Sequence, residues 1–122
     1  MLKSGAKLFP FLLVAACEPP PEQSRFLPAA DAGRGKAAIM RAGCASCHSI
    51  EGIDWPRGMV APPIQGMADR SLIAGKLPNR PAVLAAWVRN APAMIPGTAM
   101  PAMPLTERES RDVAAYLYEI GG

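Results

Sequence analysis

Two cysteines two residues apart, with a histidine directly after the second, constrain this chain more than any other feature. The run is CASCH, at residues 44–48, and His48 is the only histidine among 122 residues. A chain of this length has room for one domain, and a unit this small buries only a modest core of its own. A group held by Cys44, Cys47 and His48 would therefore add substantially to that core.

The spacing of Cys44, Cys47 and His48 is the C-x-x-C-H pattern of haem c attachment. The two thiols reach the two vinyl groups of one porphyrin, and the adjacent imidazole is then brought beneath the iron as an axial ligand. A structural zinc site needs four ligands, and the chain adds only Cys17, for which we expect another role. A thioredoxin-type pair needs a βαβ context, and a plain disulfide leaves His48 unexplained. We therefore expect one covalent haem c.

The second axial ligand cannot be another imidazole, because the chain has one histidine. The neutral ligand that remains is a methionine thioether. The candidates are Met59, Met67, Met94, Met100 and Met103. Since methionines most often fill gaps in a core, the residue inventory alone leaves this choice open.

Residues 1–16 are typical of a secretion signal. Lys3 and Lys7 precede an apolar run that is too short to span a bilayer as a stable helix. The run ends in VAAC, which resembles the lipobox of bacterial lipoproteins and implies cleavage before Cys17 and acylation of its thiol. Attached acyl chains would anchor the protein stably. We expect export and attachment to a bacterial membrane, facing the periplasm or the cell exterior; in the alternative, an ordinary signal, Cys17 has no role.

Residues 17–30 contain the proline-rich run EPPPEQSRFLPAA and lack periodic apolar spacing, which predicts an extended linker. The formal charge of +3 includes Lys3 and Lys7 of the leader, so the processed chain is close to neutral. This balance gives no indication of nucleic-acid binding.

Three helices are predicted beyond the linker, and the first two follow from capping signals. Asp31 is a helix cap, and alanines with Ile39 continue the pattern through residue 42. For the second helix, Asn79 is the expected cap, Pro81 fits the first turn, and the apolar pattern ends near Asn90.

The third helix begins with a capping box, in which Thr106 and Glu109 bond to each other's backbone, and Gly121 ends it. Between residues 49 and 77 the pattern predicts a long loop, with at most a helical turn at residues 71–74. Such a loop is expected in a small domain when a central cofactor organises it. No alternation of period two is long enough for a sheet, so the predicted fold class is all-α.

The run LAAWVRNAPAMIPGTAM, residues 84–100, resembles class I c-type cytochromes, in which mitochondrial cytochrome c ends this segment in Ile-Pro-Gly-Thr-x-Met. The resemblance covers residues 31–122 and implies the cytochrome c fold, with three main helices and the last crossing the first. It also implies that Met100 binds the iron opposite His48. Met103, in a second Met-Pro pair, is the alternative ligand.

The segment after the haem motif is similar to the cytochrome c domains fused to subunit II of haem-copper oxidases, which continue with Gly-Pro-x-Leu and then an arginine. Here residues 61–64 read APPI, whose first residue departs from that pattern, and Arg70 follows. The similarity implies that the Pro62 carbonyl accepts the free N–H of His48 and that Arg70 faces a haem propionate. Trp87 lies where the mitochondrial family has a tyrosine near the methionine sulfur, and core packing explains it equally well.

Histidine and methionine on the two faces of the iron would leave no position open for a substrate. We therefore expect a one-electron carrier in a membrane-associated respiratory or related chain, with redox proteins as partners and no small-molecule substrate. The sequence leaves two other functions open. In the first, the chain is a fixed haem subunit of an oxidase or dehydrogenase complex. In the second, the methionine ligand is displaced and the chain is a haem peroxidase.

Overall fold

The computed structural model describes residues 25–120 and, apart from them, Gly5. Apart from Gly5, the predicted leader, residues 1–16, lies outside the described residues, and so does Cys17. In chain order the elements are α1 (Ala32–Ala42), a 3₁₀ turn (Cys44–Ser46), a second 3₁₀ turn (Met67–Asp69), β1 (Leu72–Ile73), β2 (Leu77–Pro78), α2 (Pro81–Arg89), α3 (Ala91–Met94) and α4 (Glu107–Glu119). No helix within residues 25–120 has the length and apolar character needed to cross a bilayer.

The core lies between α1, α2 and α4. Both α1 and α2 pack on α4. Each of these three helices contributes one of the most deeply buried aliphatic side chains: Ile39, Leu84 and Val113 are each 1% exposed. The expected crossing of the first and last helices is thereby confirmed. The crossing is close because α1 carries Gly35, where a Cβ atom would lie 1.9 Å from the Asp112 carbonyl oxygen. A side chain at residue 35 would therefore force the two backbones apart.

The capping signals of the first and last helices are confirmed. The Asp31 carboxylate accepts a bond from the Arg34 N–H at 2.7 Å. At the start of α4, the Thr106 hydroxyl accepts from the Glu109 N–H at 3.1 Å, and the Glu109 carboxylate accepts from the Thr106 N–H at 2.8 Å. These side chains satisfy N–H groups that a helix start leaves unpaired.

The predicted cap of the second helix is wrong. Arg80 occupies the N-cap position, and it makes no side-chain capping bond. Asn79 is buried instead: its amide donates to the carbonyls of Met67 and Arg70, each at 2.7 Å, and its side-chain oxygen accepts from the Tyr118 hydroxyl at 2.8 Å. Asparagine is required here because it satisfies two loop carbonyls and one hydroxyl inside the core.

The predicted helical turn at residues 71–74 is also wrong. Leu72–Ile73 pairs antiparallel with Leu77–Pro78, and Ala74 and Gly75 take positive φ angles of 51° and 68° to close the turn. The strands have two residues each, too few to show alternation in the sequence. The hairpin is an addition to a fold that otherwise agrees with the all-α expectation.

Residues 25–30, which the sequence assigned to the linker, pack against the domain. Leu27 is 6% exposed. The Arg25 guanidinium donates to the carbonyls of Ala68 and Asn79, and it lies 5.4 Å from the centroid of the Tyr118 ring. The packed unit in the structure therefore begins before Asp31.

Candidate haem site

The haem-attachment motif lies on a tight turn at the end of α1. Gly43 ends that helix with a φ angle of 78°, and the turn continues through bonds from the N–H groups of Cys47 and His48 to the Cys44 carbonyl, at 3.2 and 3.0 Å. Cys44 is half-buried and Cys47 is exposed. Burial raises the pKa of the Cys44 thiol. The two thiols and the imidazole therefore leave the backbone from one turn, as attachment to a single porphyrin requires.

The His48 ring is oriented by a backbone carbonyl. Its Nδ1 atom lies 2.6 Å from the Pro62 carbonyl oxygen. A carbonyl oxygen only accepts, so Nδ1 carries the proton and Nε2 keeps the lone pair that binds a metal. A hydrogen bond of this kind fixes the ring and raises the basicity of the ligating nitrogen. This is the contact that the oxidase-like pattern implied.

Residues 58–62 run along the motif and hold it through backbone contacts. The Gly58 N–H donates to the Ala45 carbonyl at 2.8 Å, and the Ala61 N–H donates to the Cys47 carbonyl at 3.0 Å. A Cβ atom on Gly58 would lie 2.3 Å from the Cys47 carbonyl carbon, far inside van der Waals contact. Glycine is therefore required at residue 58 for this approach.

The sequence interpretation missed Gly58. Its loop also contains Gly52, Gly66 and Gly75, which all take positive φ angles, and nothing in the local sequence pattern distinguishes Gly58 from them. The one available signal was its position a few residues before Pro62. If the Pro62 carbonyl meets His48, the preceding residues have to pass close to the motif.

The methionine candidates have different environments. Met59 is 93% exposed, and Met67 is 7% exposed within the core. The other three are half-buried and pack on the edge of the core: Met94, Met100 and Met103.

The loop that carries Met100 is closed at its base by the end of α2. Asn90 forms an antiparallel bridge with Ala102, and the Met103 N–H donates to the Arg89 carbonyl at 2.9 Å. Farther along the loop, the Met100 N–H approaches the Thr98 hydroxyl at 3.4 Å. Met103 is thus tied by its backbone at the base of the loop, and Met100 lies three residues further in.

Arg70 and Trp87 have defined positions beside these segments. Arg70 is exposed, and its guanidinium donates to the Gln65 carbonyl at 3.1 Å, so it braces the loop that follows Pro62. Trp87 is 9% exposed and belongs to the core. Packing in the core is therefore enough to explain why Trp87 is buried.

The chemistry of these residues fits haem c. One half-buried and one exposed thiol precede an imidazole whose Nε2 keeps a lone pair for iron. A half-buried thioether, that of Met100, is available on a separate loop. Sulfur and imidazole donors of this kind suit iron in a porphyrin. The fold and the site together define a small all-α haem-binding domain.

Comparison with known proteins gives the family. The family model for cytochrome c matches residues 32–120, so the chain belongs to the cytochrome c family. Members of this family carry covalent haem c and transfer electrons, and this chain is likewise a haem c electron carrier.

One relative and two solved structures extend the comparison. Cytochrome c oxidase subunit 2 of Alkalihalophilus pseudofirmus is 31% identical over 87 residues, which are 70% of this chain and 25% of that protein. The chain thus spans about a quarter of that relative. Cytochrome cH from Methylobacterium extorquens is 26% identical with a TM-score of 0.51, covering 71% of this chain and 96% of that one. SoxXA from P. pantotrophus, 24% identical with a TM-score of 0.56, covers 73% and 80% and shows a likeness of fold.

Proposed function

We propose that the chain is a monohaem one-electron carrier, with its haem joined to Cys44 and Cys47 and its iron held by His48 and Met100. The observation that carries this proposal is the 2.6 Å contact between His48 Nδ1 and the Pro62 carbonyl. That contact orients Nε2 as a ligand directly beside the two attachment thiols. The match of the family model to residues 32–120 supports the same assignment.

The bound haem supplies a reversible one-electron couple at iron. The side chains of the protein determine how that couple is used. His48, held by Pro62, gives a fixed nitrogen donor, and the Met100 thioether gives a soft donor that favours the ferrous state and raises the reduction potential. With donors from both His48 and Met100, no position at the iron would remain for a substrate, so the site would pass electrons without making bonds.

The test is the visible spectrum of the reduced and oxidised holoprotein, together with the alkaline pyridine assay for haem linked through thioethers. We expect a low-spin spectrum in both states, no reaction with carbon monoxide, and a pyridine product typical of two thioether links. A high-spin spectrum with turnover of peroxide would instead identify a haem peroxidase and overturn the carrier proposal.

We place this carrier on the outer side of a bacterial membrane, in a respiratory or related electron-transport chain. The support is the sequence of residues 1–17, in which Cys17 completes the lipobox pattern. Mass spectrometry of the membrane fraction should find a mature chain that begins at Cys17 and carries acyl chains there. A mature chain in which Cys17 is unmodified would overturn the lipid anchor while leaving the haem assignment intact.

A fixed haem subunit is the second candidate, and one observation favours it. The curated relative is an oxidase subunit, of which this chain matches about a quarter. Purification in mild detergent separates the two functions. A carrier elutes alone, whereas a fixed subunit elutes with the same partner polypeptides in every preparation.

A further inference from the structure

Arg25 joins the start of the packed domain to the β1–β2 hairpin. Its guanidinium donates to the carbonyls of Ala68, Arg70 and Asn79, and Asn79 directly follows β2. The Asn79 N–H in turn donates to the Ser71 carbonyl at 3.0 Å. The point at which the chain enters the domain is therefore fixed beside the hairpin, and residues of both segments line one cavity: Arg25, Arg70, Ser71, Pro78 and Arg80.

Two large apolar side chains next to residues that line this cavity are exposed to solvent. Phe26 directly follows Arg25 and is 74% exposed, and Leu72 directly follows Ser71 and is 45% exposed. Within β1, Leu72 is exposed whereas Ile73 is buried. Apolar side chains of this size, exposed on one part of a surface, mark a contact with another molecule.

The same part of the surface is cationic. We give the name entry face to residues 25–26 and 69–80, whose charged side chains are four cations and one acid: Arg25, Arg70, Lys76, Arg80 and Asp69. The adjoining part of α4 adds two charges of each sign outside the core, which balance: Glu107, Arg108, Arg111 and Glu119. The acids of the linker, Glu18 and Glu22, reduce the excess of cations and do not cancel it. The entry face therefore presents apolar and cationic side chains together.

The position of Cys17 favours a bilayer as the molecule that covers the entry face. Arg25 is eight residues after Cys17, and eight residues span at most about 28 Å when fully extended. With Cys17 held in the membrane by its acyl chains, as proposed above, the entry face stays within that distance of the lipid headgroups. A short tether of this kind gives the bilayer a high effective concentration at the face.

We propose that the entry face rests on an anionic phospholipid bilayer. In this orientation Phe26 and Leu72 lie among the headgroups, and Lys76 and Arg80 lie beside lipid phosphates. The inference rests on the proposed lipid anchor and adds the orientation of the domain on the membrane.

The chemistry of the entry face suits the boundary between lipid and water. Aromatic rings and long cationic side chains are enriched at that boundary, and anionic lipid attracts cations that come close to the surface. The residues that line the cavity lie outside residues 44–48 and 95–103. The attachment turn and the methionine loop therefore remain outside the contact with lipid.

A photoactivatable phospholipid tests this orientation on the mature, acylated holoprotein. The protein is reconstituted into vesicles of phosphatidylcholine and phosphatidylglycerol that contain a trace of lipid with a diazirine in its headgroup. After illumination, the tryptic peptides at residues 71–76 and 37–41 are compared by mass spectrometry. The first contains Leu72, and the second contains Met40, which is 57% exposed on α1.

We expect about fivefold more lipid adduct on residues 71–76 than on residues 37–41. The first peptide decides the test because it is far from Cys17 in the sequence, whereas Phe26 is close to the anchor in any orientation. Equal yields on the two peptides would show that the domain turns freely on its tether, and would overturn the proposal.

Two variants test the cationic part of the entry face. Arg80→Gln removes a cation of the face, and we expect it to lower the adduct on residues 71–76 by about threefold. Arg89→Gln is the matched control, because Arg89 is an exposed arginine at the other end of α2, and it should leave the yield unchanged. Trypsin still produces both peptides in each variant. An equal loss of adduct in the two variants would contradict a specific role of the entry face.

The outcomes separate this inference from the anchor on which it rests. An acylated chain that gives equal yields on the two peptides overturns the orientation alone. A mature chain in which Cys17 is unmodified overturns the lipid anchor and the orientation together.

Discussion

The two sides of the proposed haem site are built differently. On the His48 side, residues 58–62 lie along the attachment turn and bond to it through backbone groups at Ala45 and Cys47, in addition to the His48–Pro62 contact. On the methionine side, residues 95–101 form a loop that follows α3, and the Asn90–Ala102 bridge joins the segments on either side. From this difference we expect attachment of the haem to depend on the folded domain, and we expect the loop that carries Met100 to tolerate changes that leave the domain folded.

Gly58→Ala tests the His48 side, and we expect it to lower the free energy of unfolding more than the other variants do. The new Cβ would lie 2.3 Å from the Cys47 carbonyl carbon, so the loop has to move away from the motif. We expect the free energy of unfolding to fall by about 3 kcal/mol, measured by urea unfolding and circular dichroism, with a lower yield of haem-loaded protein. Gly33→Ala is the matched control, since its Cβ meets only the Asp31 carboxylate, at 3.2 Å. Equal unfolding free energies and equal haem loading in the two variants would contradict the close packing of residue 58 on the attachment motif.

Met100→Ala tests the other side. The side chain is half-buried, so we expect a loss of about 2 kcal/mol or less in unfolding free energy, with haem still attached. Ligation should change sharply: the iron becomes high-spin, binds carbon monoxide and has a lower reduction potential. Met103→Ala should keep the wild-type spectrum. If Met103→Ala binds carbon monoxide and Met100→Ala does not, the ligand assignment is reversed.

Asn79→Ala tests whether the loop at residues 67–71 contributes to the haem site or only to stability. Loss of the amide removes one donor from each of the Met67 and Arg70 carbonyls and takes the buried acceptor of the Tyr118 hydroxyl away. This should cost about 2 kcal/mol of unfolding free energy without altering the visible spectrum. Asn90→Ala, at the base of the methionine loop, is the control, because the Asn90 side chain makes no capping bond. A spectral change in Asn79→Ala would mean that the loop at residues 67–71 also sets the haem environment.

The smallest effect concerns acid stability, away from both sides of the site. Hydrogen bonds from Arg41 and from the Thr106 backbone lower the pKa of Glu109 to about 2, from a usual value of 4.5. Because the folded pKa is the lower one, this stabilisation is present above pH 4.5 and is lost as the pH falls toward 2. The difference in thermal midpoint between the wild type and Glu109→Gln should therefore shrink over that range, and Arg41→Met should behave in the same way. A difference that stays constant with pH would contradict the Arg41–Glu109 interaction.

Features that depend on neighbouring residues could be predicted from the sequence. The caps at Asp31 and Thr106 act within one turn, so the first and last helices could be predicted directly. The second helix followed from Pro81 and the apolar spacing after it, although its predicted cap was wrong. The C-x-x-C-H pattern predicted haem c because attachment chemistry fixes the spacing of Cys44, Cys47 and His48.

Features that depend on distant contacts could not be predicted. Asn79 precedes a helix and has the sequence pattern of a cap, yet its amide satisfies carbonyls in another loop. Gly58 is required because two backbones meet, and neither strand of the hairpin has enough residues to show a period. Arg25 lies in a proline-rich segment, and its contacts with Ala68 and Tyr118 bridge long stretches of chain.

The most direct test of covalent haem attachment at Cys44 and Cys47 is a peptide mass. The tryptic peptide that spans residues 42–57 of the exported protein contains both cysteines. Two thioether links to one porphyrin predict a single species heavier by one haem, in which neither thiol reacts with an alkylating reagent. A peptide that carries no haem and is alkylated at both cysteines would show that the chain is not a c-type cytochrome.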